Sequence, residues 1–476
     1  MTEQSHKVPL VVDLDGTLIR TDVLYESVIG LVARNPLYIV SMVFWLLRGK
    51  AAFKREVARR LVPDPTSLPY HAELLDYLHD QKTNGRRLVL ATASDEGPAR
   101  QIAAHLGLFD EVHASDGVTN LSATAKRDRL VQRYGERGFD YAGNALADVA
   151  IWRSARQAIA VNTGKGVRRR LSDVTGVDYL DNASVARWQL LVKALRPHQW
   201  AKNLLVFVPL IAGHQVGVSE KLLDSVVLFL AFSLCASAVY LINDLVDLEA
   251  DRHHERKRKR PFASGDLSVA YGAVMAPVLV LAGLLSALTI SLPTLGVLVG
   301  YLALTSVYSL YLKKIMLVDV IVLAGLYTIR ILAGVVAVDQ MLSFWLLAFS
   351  IFLFTSLAML KRHTELVGVR RAGGTTSKGR GYQADDIEML VPLGVAAGYM
   401  AVLVFALYIN SGNVLQLYAH PQWLWLVCPV LLYWISRAWM LSHRGEMHDD
   451  PIVFALKDKA SLATVTVVVA LMVLAL

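Results

Sequence analysis

The sequence is poor in cysteine and in charge. Its 476 residues include two cysteines, Cys235 and Cys428, which lie inside apolar segments without metal-ligand spacing, so neither a disulfide framework nor a zinc site is predicted. Only 18% of the residues are charged and 54% are hydrophobic, with a mean hydropathy of +0.43, which excludes an ordinary soluble protein. No basic N-terminal region precedes an apolar core, so no cleaved signal is predicted. We expect a membrane protein of two or more domains.

Basic residues exceed acidic ones by a modest margin. Lys and Arg number 48 against 40 Asp and Glu, giving a net charge of +8. This balance suits a protein that meets anionic lipid or phosphate at the inner face of a membrane, although a soluble basic surface would give the same count. The sequence predicts no nucleic-acid partner and does not define an oligomeric state.

An α/β domain with a doubly wound, Rossmann-like sheet and a helical cap is predicted for residues 1–165. The apolar run 8–12 leads directly into Asp13-Leu-Asp15-Gly-Thr. A buried parallel strand would place both aspartates at its carboxyl end, where open α/β sheets bind ligands. Further strand-like runs alternate with helical stretches, as doubly wound folds require; they lie at 87–91, 111–114, 140–143 and 158–161.

The segment Pro36 to Leu47 is very apolar but too short to span a bilayer. It falls inside the helical insertion that we expect to cap the site at Asp13. The favoured interpretation is ordinary core packing of a cap helix. The alternative is a membrane-facing lid that admits a lipid substrate, because exposed apolar patches often mark membrane contact.

Residues 166–196 are predicted to be a basic linker followed by an interfacial helix. Helical and strand periodicity weakens from Thr163 to Asn182, where Arg168-Arg169-Arg170 offers affinity for anionic headgroups. One helical face then carries apolar side chains, which suits a helix on the membrane surface or, equally, one packed on the soluble domain. That face comprises Val185, Trp188, Leu191, Val192 and Leu195.

An all-α membrane domain of about nine spans is predicted for residues 197–476. Each apolar run is near the ~20 residues that a bilayer requires. The runs are approximately 203–218, 222–242, 268–291, 293–312, 317–338, 343–360, 389–410, 422–441 and 459–476. Lys and Arg concentrate in alternate connections, which places those connections and the N-terminal domain in the cytoplasm by the positive-inside rule.

The most distinctive polar stretch is Asn243 to Pro261, at the inner end of an apolar run. In a helix, Asn243, Asp247 and Asp251 are spaced i, i+4, i+8 and share a face, with Asp244 beside them. Like charges at this spacing repel, so a compensating cation is expected, and oxygen ligands suit Mg²⁺. The basic run from Arg256 to Arg260, including Lys257, offers partners for phosphate oxygens. The bland alternative is a cytoplasmic loop that is merely polar and basic.

Further polar groups mark the inner ends of other spans. Arg330 lies well within a span and is either functional or part of an internal ion pair, and Asp319 provides a second acidic group and a further candidate metal ligand. The remaining candidates for binding phosphate-bearing substrates are Lys202, Asn203, Tyr311, Lys313, Lys361 and Arg362. The segment from Asp450 to Asp458 adds further polar groups at the inner ends of the spans, and these segments together are called the inner rim.

The N-terminal motifs resemble the haloacid dehalogenase-like hydrolases over about residues 6–165. The resemblance rests on DLDGT, Thr92 in ATAS, Lys126 in SATAK and the segment Gly143 to Asp148. It implies that Asp13 is the nucleophile that forms an aspartyl-phosphate and that Asp15 is the general acid and base. Thr92 and Lys126 would bind the phosphoryl oxygens.

The same resemblance implies a Mg²⁺ ion held by Asp13, Asp15, Asn144 and Asp148. The family usually has Asp where this chain has Asn144, which removes a negative charge near the metal. An amide oxygen still ligates a hard cation.

Residues 195–476 resemble the UbiA-type membrane transferases, most closely the polyprenyl-phosphate phosphoribosyltransferases. The resemblance rests on five blocks in order: RPxQWxKN, NDxxDxExDxxH, YxxxLKxxxxxD, KRxxEL and DPxxFALKD. It implies Mg²⁺-dependent transfer from phosphoribosyl pyrophosphate to a polyprenyl phosphate, with Asp247 and Asp251 essential. A prenyltransferase acting on a polyprenyl diphosphate and an aromatic or other acceptor is the rival interpretation. A membrane scaffold or transporter with a degenerate hydrolase domain is the third.

Overall fold

The computed structural model describes residues 8–172, 176–180, 185–376, 379–447 and 450–476, with the side chains of 413, 415 and 416 excepted. The chain divides into two compact units. The first comprises Met1–Leu195 and Tyr240–Met275, and the second comprises Arg196–Val239 and Ala276–Leu476.

The first unit contains a six-stranded parallel sheet. Its strands are β1 (Leu10–Val12), β2 (Leu88–Asp95), β3 (Glu111–Ser115), β4 (Asp140–Gly143), β5 (Ala158–Val161) and β6 (Val177–Leu180). Their order across the sheet is β3-β2-β1-β4-β5-β6. The first strand pairs on both sides, with Val11 opposite Val89 and Tyr141. The end of β1 therefore lies in the middle of the sheet, where the order reverses, and this is the usual place for a ligand site.

Helices cover both faces of this sheet and form the cap. They are α1 (Val23–Arg34), α2 (Tyr38–Leu47), α3 (Lys50–Ala58), α4 (Ala72–Thr83), α5 (Glu96–Leu106), α6 (Ala123–Tyr134), α7 (Val149–Ser154), α8 (Lys165–Leu171) and α9 (Arg187–Leu195). Two apolar layers result, one containing Leu10 and Leu90 and the other containing Val11 and Trp152. The strands are apolar on both faces because both faces are covered.

The predicted α/β fold is confirmed, but the sheet continues past the predicted domain boundary at residue 165. α8 and β6 occupy part of the segment predicted to be a linker. β6 was missed because Val177–Leu180 is only four residues long and includes a charged residue, Asp178. Residues 173–175 and 181–184 of the predicted linker lie outside the described residues. In α9, Trp188 and Val192 are exposed, whereas Leu190 and Ala194 are buried.

The cap helix α2 does not have the full core packing that the sequence favoured. Only Met42 among its residues is buried. Phe44 is 63% exposed and Leu47 is 79% exposed. The sequence could not distinguish the two alternatives because the helix is apolar on its packed face and on its open face alike.

The remaining helices, from residue 208 onward, are mostly long and apolar. They are α10 (Val208–Ala212), α11 (Ser219–Val246), α12 (Leu248–Arg252), α13 (Val269–Ile290), α14 (Leu292–Leu310), α15 (Val318–Ala337), α16 (Phe344–Arg371), α17 (Ile387–Ile409), α18 (Gly412–Leu417), α19 (Val427–Arg444), α20 (Pro451–Lys457) and α21 (Lys459–Ala475).

Nine spans is an overestimate for the described residues. Seven helices there are long and apolar enough to cross a membrane, or eight if the α20–α21 pair, bent by 82°, is one span. The first predicted span, 203–218, is instead the end of a 3₁₀ segment, Pro197–Phe207, followed by the five-residue α10. Arg196, in the left-handed region with φ of 53°, and Pro197 begin the 3₁₀ segment, and Pro209 lies within the predicted span.

Close backbone contacts hold the 3₁₀ segment in the second unit. A Cβ atom added at Gly334 of α15 would lie 2.2 Å from the carbonyl oxygen of Val206. Only glycine therefore permits this approach, which brings the segment that contains Lys202 and Asn203 against α15. Helices α15, α16, α17 and α19 share a larger core around Phe354, Leu360 and Trp439.

The buried carboxylate of Asp140 in β4 generates a prediction about stability. Asp140 is fully buried and accepts hydrogen bonds from Arg86 and, at 2.9 and 2.6 Å, from Arg156. Asp140→Ala leaves the buried Arg86 guanidinium without its carboxylate, so we expect the first unit to lose about 3–5 kcal/mol of stability. Thermal unfolding of the detergent-solubilised chain measures this. Asp128→Ala, at an exposed ion pair, is the control, and equal unfolding temperatures would contradict the prediction.

Candidate functional site

Three predicted hydrolase residues, Asp13, Lys126 and Asp148, meet at the carboxyl ends of β1 and β4. Asp13 follows β1, and its Oδ1 accepts a 2.6 Å hydrogen bond from Lys126 Nζ. Lys126 also donates to the Tyr141 hydroxyl at 3.1 Å, which donates in turn to Asp148 at 2.9 Å. This network positions the ammonium group beside the carboxylate expected to attack phosphorus. Tyr141 was missed because it lies within a strand and carries no motif signal.

Asp15 is held by three donors on a different side of the site. It accepts hydrogen bonds from Val23 N at 2.9 Å, Ser94 Oγ at 2.7 Å and Thr92 Oγ1 at 3.2 Å. Thr92 and Ser94 both belong to β2, so the neighbouring strand fixes the orientation of the carboxylate. The structure thus brings Thr92 beside Asp15, as a phosphate site at this sheet edge requires.

Asn144 lies against the turn that carries the two aspartates. A Cβ atom added at Gly16, which has a φ of 77°, would lie 2.2 Å from Asn144 Nδ2. The Asp148 carboxylate accepts from the backbone N–H groups of Asn144 and Ala145 at 3.1 and 2.9 Å. Asp148 therefore shapes the loop that presents the Asn144 amide.

Burial changes the protonation chemistry of the two aspartates. It raises the pKa of Asp13 to about 7, against the opposing effect of the Lys126 charge. Burial likewise raises the pKa of Asp15 to about 6, aided by the charge of Asp22. A carboxyl group with a pKa near the working pH transfers protons efficiently in either direction. The arrangement at Asp15 suits a general acid and base.

The polar stretch after α11 keeps helical hydrogen bonding through a local break. Asp247 N bonds to Asn243 O at 2.9 Å and Asp251 N bonds to Asp247 O at 2.8 Å, although Asp247 itself separates α11 from α12. The predicted i, i+4, i+8 relation of Asn243, Asp247 and Asp251 is therefore present in the backbone.

The compensating cation beside this stretch is an arginine. Arg260 Nη1 lies 3.1 Å from Asp244 Oδ1 and 2.5 Å from Asp251 Oδ2, and both aspartates are buried. Lys257 Nζ lies 3.9 Å from Asp251. Two buried carboxylates, Asp244 and Asp251, thus converge on the Arg260 side chain.

The other two ligand candidates have no such partner. In the part of the chain that the structure describes, no hydrogen bond or ion pair reaches the side chains of Asn243 or Asp247. Among the described residues, no group of three or more His, Cys, Asp and Glu side chains is arranged to hold a metal ion. The donor chemistry of Asn243, Asp247 and Asp251 nevertheless fits Mg²⁺, because amide and carboxylate oxygens are its usual ligands.

Asp450 joins two predicted cations in the second unit. Its Oδ2 accepts hydrogen bonds from Lys202 Nζ at 2.7 Å and Lys361 Nζ at 2.9 Å, and all three residues are largely buried. The Tyr327 hydroxyl lies 3.5 Å from the same oxygen. The sequence analysis placed Asp450 in the inner rim but did not predict its contacts with both lysines.

Asn203 and Arg330 also meet, but without a carboxylate. Arg330 Nε donates to Asn203 Oδ1 at 2.8 Å, and Arg330 Nη2 donates to the Tyr301 hydroxyl at 3.1 Å. A third bond goes to the Leu326 carbonyl. Among the described residues, no carboxylate lies within ion-pair distance of this buried guanidinium. Arg330 therefore does not form the internal ion pair that the sequence analysis considered, among the described residues.

Asp319 holds a cation instead of presenting an open carboxylate. It is fully buried, and its two oxygens accept from Arg362 Nε at 2.5 Å and the Tyr382 hydroxyl at 2.6 Å. Arg362 also donates to Glu365 and Tyr308. Asp319 was expected to be a metal ligand, and the contacts give it the task of positioning Arg362. Tyr311 is 67% exposed, and Lys313 lies in the 3₁₀ turn Leu312–Lys314.

These elements define a class: a multi-pass helical membrane protein whose polar groups gather around buried ion pairs, joined to an α/β domain with a carboxylate site. The family model of the UbiA prenyltransferase family matches residues 205–472. The chain belongs to the UbiA prenyltransferase family.

Curated relatives extend this result. The chain is 38% identical over 461 residues to an uncharacterized protein, y4nM, of Sinorhizobium fredii, covering 96% of this chain and 88% of that protein. It is 38% identical over 275 residues to nodulation protein NoeC of Azorhizobium caulinodans, covering 57% and 89%. It is 40% identical over 194 residues to a decaprenyl-phosphate phosphoribosyltransferase of Mycobacterium tuberculosis, covering 40% and 64%.

Two solved structures resemble separate parts of the chain. A UbiA homologue from Archaeoglobus fulgidus bound to GPP and Mg²⁺ is 16% identical, with a TM-score of 0.47, and the match covers 59% of this chain and 99% of that one. A HAD-family hydrolase from Salmonella enterica is 16% identical, with a TM-score of 0.26, and the match covers 36% and 68%.

The shared carboxylate of Asp450 generates a second stability prediction. Asp450→Asn keeps the hydrogen bond to Ile452 N that begins α20, because asparagine caps helices as well as aspartate does. It removes the charge between two buried lysines, so we expect a loss of roughly 3 kcal/mol, measured by thermal unfolding in detergent. Asp458→Asn is the matched control, since Asp458 caps α21 and pairs with one partly exposed arginine, Arg437. A smaller loss at Asp450 than at Asp458 would disprove this account.

Proposed function

We propose that the membrane part transfers a phosphoribosyl group from phosphoribosyl pyrophosphate to a polyprenyl phosphate. The observation that carries this proposal is the run of Asn243, Asp247 and Asp251 with adjacent cations, in a chain similar to decaprenyl-phosphate phosphoribosyltransferases. The match covers 64% of the length of that relative. The activity of the whole enzyme is therefore assigned to this chain as a proposal.

One set of residues would hold the metal ion, and a second set would bind phosphate groups. Asn243, Asp247 and Asp251 would hold Mg²⁺, which supplies charge neutralisation at the diphosphate when bound. Lys257 and Arg260 offer donors to phosphate oxygens beside that stretch. In the second unit Lys202, Lys361 and Arg330 supply buried positive charge, which is effective in a low dielectric. A phosphate oxygen is already an adequate nucleophile, so the protein contributes mainly positioning and electrostatic stabilisation.

The rival activity is prenyl transfer from a polyprenyl diphosphate to an aromatic or other acceptor. Prenyltransferases of this superfamily carry a second motif with paired aspartates, whereas Asp319 has no acidic residue four positions later and already engages Arg362 and Tyr382. This difference favours phosphoribosyl transfer. Incubating membranes with labelled phosphoribosyl pyrophosphate and polyprenyl phosphate, in parallel with an aromatic acid and polyprenyl diphosphate, separates the two. A scaffold or transporter would form neither product.

The location that fits this activity is the inner (cell) membrane, with the N-terminal domain in the cytoplasm. The support is the distribution of charge: Arg252 to Arg260 and Lys313-Lys314 lie at alternate connections, Lys361-Arg362 lie in the C-terminal half of α16, and connections such as 339–342 contain no Lys or Arg. Because the first predicted span is not one helix, the orientation rests on this charge bias and not on a count of nine.

Asp247→Asn should lower transfer at limiting Mg²⁺ without preventing insertion or folding. The side chain has no partner among the described residues, so the substitution removes a metal ligand and little else. We expect Mg²⁺ to bind at least roughly tenfold more weakly and transfer to fall correspondingly at limiting Mg²⁺. The matched control is Glu249→Gln, an exposed acid of α12. Undiminished turnover in both Asp247→Asn and Asp251→Asn would eliminate the assignment.

We further propose that the N-terminal unit removes the 5-phosphate from the lipid product. The Asp13–Lys126 pair and the raised pKa of Asp15 suit cleavage of a phosphomonoester. Fusion raises the local concentration of one site's product at the other. Attack by an Asp13 oxygen on phosphorus would release the lipid-linked ribose hydroxyl, protonated by Asp15, and water would then hydrolyse the aspartyl-phosphate.

Asp13→Asn should therefore stall the enzyme at the phosphorylated lipid. The amide cannot attack phosphorus, so labelled product should retain its 5-phosphate and no inorganic phosphate should appear. Thin-layer chromatography of the lipid products measures this, with Asp80→Asn, an exposed aspartate of α4, as the control. The same final lipid from the Asp13 variant and the parent protein would refute coupled hydrolysis while leaving the transferase proposal intact.

A further inference from the structure

Helix α2 has two apolar faces, and the protein covers only one of them. Tyr38, Met42 and Trp45 face inward and pack with Leu31 and Val57 in a cluster inside the cap. Their i, i+4, i+7 spacing gives one helical stripe. The cap is therefore already packed without the opposite face of α2.

The opposite face is a continuous exposed apolar surface. Val40 is 59% exposed, Val43 57%, Phe44 63% and Leu47 79%. These four residues also follow helical spacing, and three more exposed apolar side chains flank them: Leu37, Ile39 and Leu46. Single exposed apolar residues are ordinary, but a contiguous set of this kind marks an interaction surface.

The charged residues that flank α2 in the sequence are all basic. Between Glu26 and Glu56 the sequence has no acidic residue and has five basic ones. Arg34 precedes the helix, and Arg48 and Lys50 follow it; all three are exposed. An apolar face bordered by cations at both ends suits an anionic lipid surface, with the side chains in the acyl boundary and the cations at headgroup phosphates.

We propose that α2 lies in the membrane interface and inserts its Val40–Leu47 face into the bilayer. The helix has 10 residues and is about 15 Å long, so it is too short to cross the ~30 Å hydrocarbon core. The bilayer is the favoured occupant because the same chain contains at least seven helices fit to span a membrane. The attached first unit therefore meets the bilayer at high effective concentration.

The position of α2 gives this contact a role at the hydrolase site. Helix α3 follows directly, and its Lys54 donates to the Ala93 carbonyl at 2.6 Å and to Asn120 at 2.9 Å. Ala93 adjoins Ser94, which holds Asp15. The helix that follows α2 therefore contacts the residues that shape the aspartate site. Insertion of α2 in the bilayer would let a lipid-linked phosphate reach that site without leaving the membrane.

A fluorescent probe at position 44 tests the contact directly. The full chain, with Cys235 and Cys428 replaced by Ala, carries Phe44→Cys labelled with NBD in nanodiscs of phosphatidylcholine and phosphatidylglycerol. Val118→Cys is the matched control, because Val118 is an apolar residue of the same unit that is 87% exposed. We expect the probe at 44 to be blue-shifted, protected from iodide and quenched several-fold more by shallow spin-labelled lipid than the probe at 118.

Each alternative outcome contradicts the proposal in its own way. Iodide quenching at 44 equal to that at 118 would show a water-exposed helix. Protection from iodide without quenching by spin-labelled lipid would show a protein occupant, such as a second copy of the chain. Normal labelling stoichiometry and an unchanged unfolding temperature confirm that the variants are folded.

A second measurement tests the proposed role and rests on the hydrolase function proposed above. The triple variant Val40→Ser, Phe44→Ser and Leu47→Ser should hydrolyse the phosphorylated lipid in nanodiscs at least tenfold more slowly while it cleaves soluble p-nitrophenyl phosphate at the parent rate. Unchanged lipid hydrolysis would overturn the role in access. If the parent protein hydrolyses neither substrate, the hydrolase proposal fails and the fluorescence result still decides whether α2 is in the membrane.

Discussion

A carboxylate shared between two cations holds several buried polar regions of this protein together. Asp140 lies between Arg86 and Arg156, and Asp450 lies between Lys202 and Lys361. A charge moved out of water is strongly disfavoured unless a partner of opposite sign and further hydrogen bonds replace the lost hydration. Each shared carboxylate therefore fixes two long side chains at once. In the second unit those side chains come from segments far apart in the sequence, so the ion pair also fixes how the segments pack.

Arg330 is a buried charge without a partner of opposite sign among the described residues. The residue is 6% exposed, and its guanidinium donates to an amide oxygen, a hydroxyl and a carbonyl. Neutral acceptors satisfy the hydrogen bonds but leave the positive charge uncompensated within the described contacts. A buried charge of this kind gains most from an arriving anion, because low dielectric strengthens the attraction. Asp319 shows the opposite case: its contacts with Arg362 and Tyr382 already compensate the charge, so a metal would have to displace them.

Sequence patterns predict contacts that local motifs define, but not contacts between residues far apart in the chain. Asp13, Thr92 and Lys126 could be placed together because each follows a recognisable strand or motif and parallel strands end at one sheet edge. The contact between Lys202 and Asp450 joins residues 248 positions apart, and no local pattern contains that information. The first predicted span failed because hydropathy counts apolar residues but does not register the turn at Arg196 or the prolines at 197 and 209. In α2 the apolar pattern was correct, but periodicity cannot say which of two apolar faces a protein covers.

One buried ion pair explains why the Asp-rich stretch belongs to the same compact unit as the α/β sheet. Arg252, the residue after Asp251, donates to Glu26 of α1 through its two terminal guanidinium nitrogens, and both side chains are at most 6% exposed. Arg252 Nε also donates to the Ala263 carbonyl at 3.1 Å, which closes the loop that contains Arg260. Helix α1 begins at Val23, whose N–H is bound by Asp15. The carboxylate of the hydrolase site and the carboxylates of the Asp-rich stretch are therefore linked through the first turn of one helix, and breaking the Glu26–Arg252 pair would leave an uncompensated buried charge next to Asp251. Glu26 of α1 thus provides the buried partner of the arginine that follows Asp251.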